Sequence, residues 1–173
     1  MQKIVIIVVI IIAFSVGLSP FLFREMKTDP STIVQENVPS NETETVAVDH
    51  RAAFAIFTNG TFRVFTASMY HNLSKDIFIE SSNPNIVVIK KSGITWDDFF
   101  STLPFSLTHE CLVTGNNEVF CNNENNTLRF FLNGQEQKDL LEMTIQDGDQ
   151  LLVTYGNESD EEIQKQQNSI PDL

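Results

Sequence analysis

The chain has 173 residues, of which 23 are acidic and 11 basic, so its formal net charge at pH 7 is −12. This balance excludes nucleic acid as the favoured partner, because binding nucleic acid requires a basic surface. It also disfavours adhesion of the chain to anionic lipid. A solvated acidic surface is the ordinary explanation of the charge, and binding of a cation or a cationic partner is the functional alternative.

Residues 4–23 form an apolar segment without a charge, IVIIVVIIIAFSVGLSPFLF. A segment of about 20 such residues is long enough for one helix across a bilayer. A signal peptide is the alternative, since a short apolar stretch followed by small residues at 15–17 fits a cleavage site. Because the apolar run continues to residue 23, the sequence favours an uncleaved anchor over residues 1–23. The membrane is then the first predicted partner.

The remaining chain divides into three parts by composition. Residues 24–48 have two prolines, scattered acids and no aromatic residue, which predicts a flexible stalk. Residues 49–156 carry nearly all the remaining aromatics and β-branched runs, so we expect one folded domain there. Residues 157–173 predict a polar, acidic tail that is disordered toward its end, with a short helix over residues 160–167 as the alternative.

Strand signals dominate the predicted domain, and turn residues separate them. Asn59-Gly60 and Asn133-Gly134 predict tight hairpin turns, because both residue types tolerate positive φ. Residues 81–85 predict a further turn, and the turn at residues 147–149 precedes the last strand. The predicted strands are residues 53–57, 62–65, 77–80, 86–89, 128–132 and 150–155.

One helix is predicted after Thr95, which is followed three residues later by Asp98 in the spacing of a capping box. The helix ends at Pro104. Its apolar positions lie at i, i+3, i+4 and i+7 and so share one face: Trp96, Phe99, Phe100 and Leu103.

Strands with one main helix on a sheet face predict an α+β fold. A mixed sheet of the β-grasp, or ubiquitin-like, type is the favoured interpretation, because the phrase TIQDGDQLLVTYG resembles the last strand of such folds. The ubiquitin-like sulfur carriers end in Gly-Gly, whereas Gly156 is followed here by Asn157, so carrier chemistry is not expected.

Cys111 and Cys121, the two cysteines of the chain, bracket a Gly-Asn-Asn turn. This spacing predicts a disulfide across a hairpin and therefore an oxidising compartment. Two buried free thiols are the alternative, and a redox site is disfavoured because the C-x-x-C spacing is absent. Five Asn-X-Ser/Thr sequons agree with a glycosylated domain outside the cytoplasm: Asn41, Asn59, Asn72, Asn125 and Asn157.

No catalytic, metal-binding or cofactor-binding constellation is evident in the sequence. His50, His71 and His109 lie far apart, and no two have ligand spacing. Asp147 and Asp149 flank a glycine, but they lack the pattern of an EF-hand and are explained by turn chemistry. The phenylalanines on strand and helix faces are expected in the core rather than around a ligand: Phe54, Phe57, Phe62, Phe65, Phe99, Phe130 and Phe131.

Five segments follow one another along the chain: HRAAFAIFTNG, GITWDDFFSTL, CLVTGNNEVFC, NTLRFFLNG and IQDGDQLLVTYGNESDEEI. Their order resembles that of a family of small single-pass archaeal proteins from ammonia oxidisers. Most members are uncharacterised, and some carry the label protein-disulfide isomerase. The family has a His-rich element before the helix, but residues 86–91 of this chain contain no histidine. The resemblance implies a single-pass protein of the cell membrane and leaves thiol–disulfide exchange as an enzymatic alternative.

Three functional hypotheses follow. The favoured one is an extracytoplasmic binding or interaction module without catalysis, whose protein partner the sequence does not identify. A thiol–disulfide exchange protein and a metal-handling protein are the alternatives, the first from the family label and the second from the acidic charge. The redox behaviour of the cysteine pair separates the first two, and metal analysis separates the third.

Overall fold

The computed structural model describes residues 46–173. The predicted membrane segment, most of the predicted stalk and the sequon at Asn41 fall outside these residues. Within residues 46–173, no helix has both the length and the hydrophobicity needed to cross a membrane.

Strands and helices alternate irregularly along the described chain, which confirms the α+β class. The elements are β1 (Ala47–Thr58), β2 (Thr61–Phe62), a 3₁₀ turn (Ser68–Tyr70), β3 (Ile77–Glu80), β4 (Asn83–Lys91), α1 (Trp96–Thr102), β5 (Ser106–Leu107), β6 (Cys111–Val113), β7 (Val119–Cys121), β8 (Thr127–Leu132), β9 (Gln135–Glu136), β10 (Gln150–Gly156) and α2 (Asp160–Gln167).

A mixed sheet lies at the centre of the fold, with the strand order β3-β4-β1-β10-β8-β9 and with β2 beside the end of β1. β1 and β10 are parallel, from Ala53 opposite Gln150 to Thr58 opposite Tyr155. The other strand pairs of this sheet are antiparallel. A parallel pair requires a long connection, and the connection here contains α1 and a separate small sheet of order β5-β6-β7.

The central strand β1 is buried on both faces. Phe54 and Ile56 belong to a large core with α1, whereas Ala55 and Phe57 belong to a smaller core on the opposite face. α2 covers this second face with Ile163. Burial on both sides explains why β1 is a continuous apolar run rather than an alternating one.

The sequence prediction for α1 is confirmed. Asp98 N donates to Thr95 Oγ1 at 3.1 Å, and Thr95 N donates to Asp98 Oδ2 at 2.9 Å, which completes the capping box. The apolar face packs on the sheet, where the Phe54 ring lies 5.4 Å from the Phe99 ring. All four predicted side chains of this face are buried: Trp96, Phe99, Phe100 and Leu103.

Two of the predicted turns are confirmed by positive φ angles, +49° and +71° at Asn59-Gly60 and +52° and +81° at Asn133-Gly134. The predicted turn over residues 81–85 is wrong in its length, because β4 already begins at Asn83. Pro84 lies where the register between β3 and β4 shifts. Such an irregularity accommodates a residue without an amide hydrogen, so proline does not end this strand.

The domain begins earlier than residue 49. Ala47 and Val48 belong to β1, and the amide of Val46 donates to Ser92 Oγ at 2.8 Å. The predicted stalk therefore does not extend to residue 48. Val48 lies within β1, and Val46 just before it is hydrogen-bonded to Ser92, although the composition around them is that of a linker.

The C-terminal segment is not a disordered tail. α2 begins after Ser159, which forms a second capping box with Glu162, and the helix alternative of the sequence analysis is confirmed. Ile163 and Ile170 are only 5% and 9% exposed and pack in the second core. The sparse apolar residues of this segment were too few to predict burial, but they cover a sheet face that no other helix covers among residues 46–173.

Candidate functional site

The predicted disulfide is present and joins β6 to β7. Cys111 and Cys121 lie opposite each other in the register, with their Cα atoms 4.1 Å apart. The cysteines point to one side of this hairpin, while Leu112 and Phe120 point to the other, toward the core. The hairpin formed by residues 111–121 is thus clamped at its base.

Three contacts hold this hairpin against the main sheet. The Tyr155 hydroxyl donates to the carbonyl of Cys121 at 3.0 Å, and the Phe120 ring lies 5.4 Å from the Tyr155 ring. At the tip, Gly115 lies so close to the chain after α1 that a Cβ atom would be 2.8 Å from the carbonyl oxygen of Pro104. A side chain at position 115 would push the tip away.

The segment over residues 61–70 lies opposite the hairpin. Phe65 fixes it, because its ring packs 5.1 Å from both the Phe54 and the Tyr70 rings. The ring of His71 donates from Nε2 to the carbonyl of Phe65 at 2.8 Å. The neighbouring apolar side chains of Val64 and Met69 are 62% and 51% exposed.

A groove of about 380 Å³ lies between this segment and the hairpin. Its lining contains one basic and one acidic residue, and these neutralise each other because Arg63 Nη1 lies 3.1 Å from Glu118 Oε2. We call this site the hairpin groove. It is lined by Ile56, Thr61, Phe62, Arg63, Val64, Phe65, Thr66, Ala67, Met69, Tyr70, Phe105, Leu112, Thr114, Gly115, Asn116 and Glu118.

Arg63 organises one wall of the hairpin groove. Its Nε donates to Thr58 Oγ1 at 2.6 Å, and its guanidinium lies 5.0 Å from the centre of the Phe120 ring. The side chain therefore connects the end of β1, the hairpin ring and Glu118. A cation over an aromatic face is stabilising by about 0.5–1 kcal/mol at a partly exposed site.

One residue of the predicted core belongs to this surface instead. Phe62 is 36% exposed and lines the hairpin groove, whereas the other six phenylalanines of that prediction are buried. Phe62 and Phe65 both lie in the strand predicted over residues 62–65. The structure ends β2 at Phe62, so Phe65 lies outside that strand and packs against Phe54.

The three histidines are not brought together. His71 bonds to Phe65, and His109 Nε2 lies 3.2 Å from Glu142 Oε2, whereas His50 lies within β1. Residues 46–173 contain no group of three or more His, Cys, Asp or Glu side chains with metal-binding geometry.

The two aspartates of the turn before β10 have structural roles. Asp149 is 5% exposed and accepts hydrogen bonds from Asn133 Nδ2 at 2.9 Å and from the amide of Gln146 at 2.8 Å. Asp147 accepts from the amide of Arg51 at 2.8 Å. These bonds join the β8–β9 turn and β1 to the start of β10, which agrees with the turn chemistry inferred from the sequence.

Four of the five sequons lie in the described chain, and all four asparagines are exposed: Asn59, Asn72, Asn125 and Asn157. Exposure is compatible with glycosylation at each of them. Asn59 and Asn157 also line a common depression beside the N-terminus of α2.

Three surface carboxyl groups have lowered pKa values. Hydrogen bonds from the amide and hydroxyl of Ser159 lower the pKa of Glu162. A hydrogen bond from Arg129 lowers the pKa of Glu136, and one from Lys90 lowers that of Asp49. Exposed pairs of this kind contribute little to stability.

Three buried polar atoms have no hydrogen-bond partner within residues 46–173, namely Trp96 Nε1, Thr154 Oγ1 and Gln166 Oε1. Thr154 points to the α2 side of the sheet, since it alternates with Val153 and Tyr155 of the large core. Leaving a buried polar atom unpaired costs about 1–3 kcal/mol. Sequence reasoning did not anticipate a buried glutamine on α2.

Comparison with protein-family models, with curated proteins and with solved structures gives no match to this chain.

Proposed function

We propose that the protein is a membrane-anchored binding module without enzymatic activity, a member of the archaeal family that its sequence resembles. In this proposal residues 1–23 anchor the chain in the cell membrane and the folded domain lies outside the cytoplasm. The hairpin groove receives a protein partner. The groove carries the proposal, because exposed apolar surface rimmed by polar residues is typical of interaction sites.

The partner's chemistry follows from the charge of the domain. Residues 46–173 have a net charge of −10, yet the lining of the hairpin groove is neutral. A partner segment with an apolar side chain for the groove and lysine or arginine residues on either side fits both features. The charges accelerate the encounter, and the apolar contact supplies the affinity.

The fold of the module is inferred to be of the β-grasp type. In that fold an N-terminal hairpin is followed by a helix and further strands, and the last strand lies parallel to the first at the centre of the sheet. Three features support this inference. The strand order contains β4-β1-β10-β8-β9, β1 and β10 are parallel, and α1 lies between the pair β1–β4 and the pair β8–β10 along the chain. β3, β2, the disulfide hairpin and α2 are then additions to the basic arrangement.

Site-specific photo-crosslinking in intact cells tests the groove. A photoreactive residue is placed at Val64 or Met69, and in a control chain at Leu173, which is apolar and 54% exposed but remote in sequence. We expect a protein adduct from both groove positions and none from the control. Val64→Asp should abolish the adduct formed from position 69, because it places a charge in the apolar contact.

Absence of an adduct from both groove positions would contradict the proposal, as would equal adducts from position 173. The topology has a separate test. Protease added to intact cells should digest the domain if it lies outside the cytoplasm, whereas digestion only after lysis would place it inside.

The thiol–disulfide alternative is disfavoured by the position of the cysteines. Both lie in strands of an antiparallel hairpin, whereas catalytic thiols typically lie at a helix N-terminus that lowers the thiol pKa. The disulfide closes the hairpin that forms one wall of the groove. A structural role for Cys111 and Cys121 is therefore part of the proposal.

A further inference from the structure

α2 and the residues that follow it cover the second face of the central sheet with few apolar side chains. Ile163 and Ile170 are the buried apolar residues between positions 157 and 173, and Leu173 is 54% exposed. By contrast, α1 buries three aromatic side chains on the opposite face. Because buried apolar area supplies most of the stabilisation, the attachment of α2 to the sheet is weaker than that of α1.

Two polar atoms are buried where α2 meets the sheet. Gln166 lies with Ile163 on the buried side of the helix, and Thr154 lies on the α2 side of β10. Gln166 is 6% exposed and Thr154 is completely buried, and in the described chain neither Gln166 Oε1 nor Thr154 Oγ1 has a hydrogen-bond partner. Water bonds to such atoms when they are exposed, so docking of α2 costs hydrogen bonds that no residue of 46–173 replaces.

The margin of α2 is also incompletely packed. A depression of about 320 Å³ lies between the helix and the β1–β2 turn, and both Phe57 and Gln166 contribute to its lining. The large core contains an unpaired buried atom as well, the Trp96 indole nitrogen. There, however, the Trp96 ring packs 6.1 Å from the Phe99 ring and 6.0 Å from the Phe100 ring. The α2 interface combines its unpaired atoms with sparse apolar contact.

The polar attachment of this segment lies at the surface. Glu158 Oε1 accepts from the amide of Gly60 at 3.1 Å. Outside the strand ladders, this is the one hydrogen bond between residues 157–173 and the rest of the described chain. It is exposed, so water replaces it at little cost. The capping box of Ser159 with Glu162 holds the helix together but does not attach it to the sheet.

We propose that residues 157–173 form a displaceable strap, which opens while the sheet and α1 remain folded. Opening hydrates Gln166 and Thr154 and uncovers the sheet face that contains Phe57 and Leu152. A helix of eight residues is not stable alone in water, so α2 unfolds when it leaves the sheet. The large core on the other face is not involved in this opening, and native proteins open locally in such cooperative units. The inference depends neither on the hairpin groove nor on a partner.

Native-state hydrogen exchange of the full-length chain in detergent, followed by NMR, tests the strap. The amides of Ile163 and Asn168 donate within α2 and report its opening. We expect their protection factors to be at least about tenfold lower than those of the β1 and β10 amides, because local opening costs less than global unfolding. Low concentrations of guanidinium should reduce the protection of the strands steeply and that of α2 only slightly, since opening of the strap exposes little surface. Equal protection with equal denaturant dependence would overturn the proposal.

Gln166→Met tests the assigned cause of the weak docking. Methionine has a similar length but leaves no unpaired oxygen in the interface, so the protection of the α2 amides should rise at least about fivefold. Gln164→Met is the matched control, because it makes the same change on the same helix at an exposed position. Glutamine and methionine have similar helix propensities, so the control should stay within about twofold of the wild type. An equal rise in both variants, or no rise in Gln166→Met, would refute the role of the buried amide.

Phe99→Leu provides a test from the other side of the sheet. Phe99 packs in the large core, whose contacts are the same whether the strap is docked or open. The variant should therefore reduce the protection of the β1 and β10 amides and leave that of α2 unchanged. A parallel loss of protection in α2 would show that the helix opens only when the whole domain unfolds, and the strap would be excluded. The groove proposal survives that result, since it involves other residues.

Discussion

Replacing Phe99 with alanine should test the packing of α1 on the sheet most directly. Phe99 is completely buried, and its ring lies 5.4 Å from Phe54, 5.0 Å from Phe100 and 6.1 Å from Trp96. Truncation of a buried phenylalanine costs about 3–5 kcal/mol from lost transfer energy and the cavity left behind. Two of these three ring pairs, those with Phe54 and Trp96, are edge-to-face. Each such pair contributes about 0.5–1.5 kcal/mol beyond area burial, which favours the upper half of the range.

Denaturant unfolding, followed by fluorescence, measures this loss in the chain, since Trp96 is its single tryptophan and is fully buried beside Phe99. Circular dichroism provides a second probe that does not depend on the local surroundings of Trp96. Phe62→Ala is the matched control, because the same atoms are removed from a ring that is 36% exposed. A loss below about 1 kcal/mol in Phe99→Ala, or a loss equal to that of the control, would refute the packing of this helical face.

Two other predictions concern the disulfide and the second capping box. Replacing Cys111 and Cys121 with serine should lower the free energy of unfolding by up to about 3 kcal/mol, since the closed loop is short, and the melting temperature should fall with it. Crosslinking from position 64 should persist in this double variant. The wild-type protein should show no insulin-reduction activity. Turnover in that assay that is lost in the double variant would instead favour thiol–disulfide exchange. Because the folded-state pKa of Glu162 is lowered from 4.5, its stabilising effect is present above pH 4.5 and is lost as the pH falls through the folded value. The melting-temperature difference between wild type and Glu162→Gln should therefore shrink on acidification, and a constant difference from pH 7 to about pH 2 would contradict the capping interaction.

The sequence predicted the features that depend on neighbouring residues. The Asn59-Gly60 turn, the Thr95–Asp98 capping box and the Cys111–Cys121 bridge each depend on residues within a few positions or within one hairpin. The predicted turn over residues 81–85 failed for a related reason. Pro84 is a turn residue by composition, but an irregular register between two strands tolerates it, and that register is set by the pairing of β4 with β1.

The burial of α2 could not be predicted from its own residues. Its sequence has a low apolar content, so it resembles a solvated tail when considered alone. Ile163 and Ile170 are buried because the second face of β1 and β10, with Ala55 and Leu152, remains to be covered. That face exists only after residues more than ninety positions apart have paired. The unpaired oxygen of Gln166 follows from the same docking and has no local signal.

The hairpin groove also depends on a juxtaposition of distant segments, residues 61–70 and residues 112–118. Each wall is fixed before any partner arrives: one by the buried Phe65 ring, the other by the disulfide and by the close approach of Gly115 to Pro104. A preformed groove has little ordering entropy to lose on binding, so a small apolar contact suffices for a useful affinity. The exposed side chains Val64 and Met69 then have a physical reason to remain at the surface. In the proposed interaction they are the exposed apolar parts of a rigid site, and substituting them should change binding far more than stability.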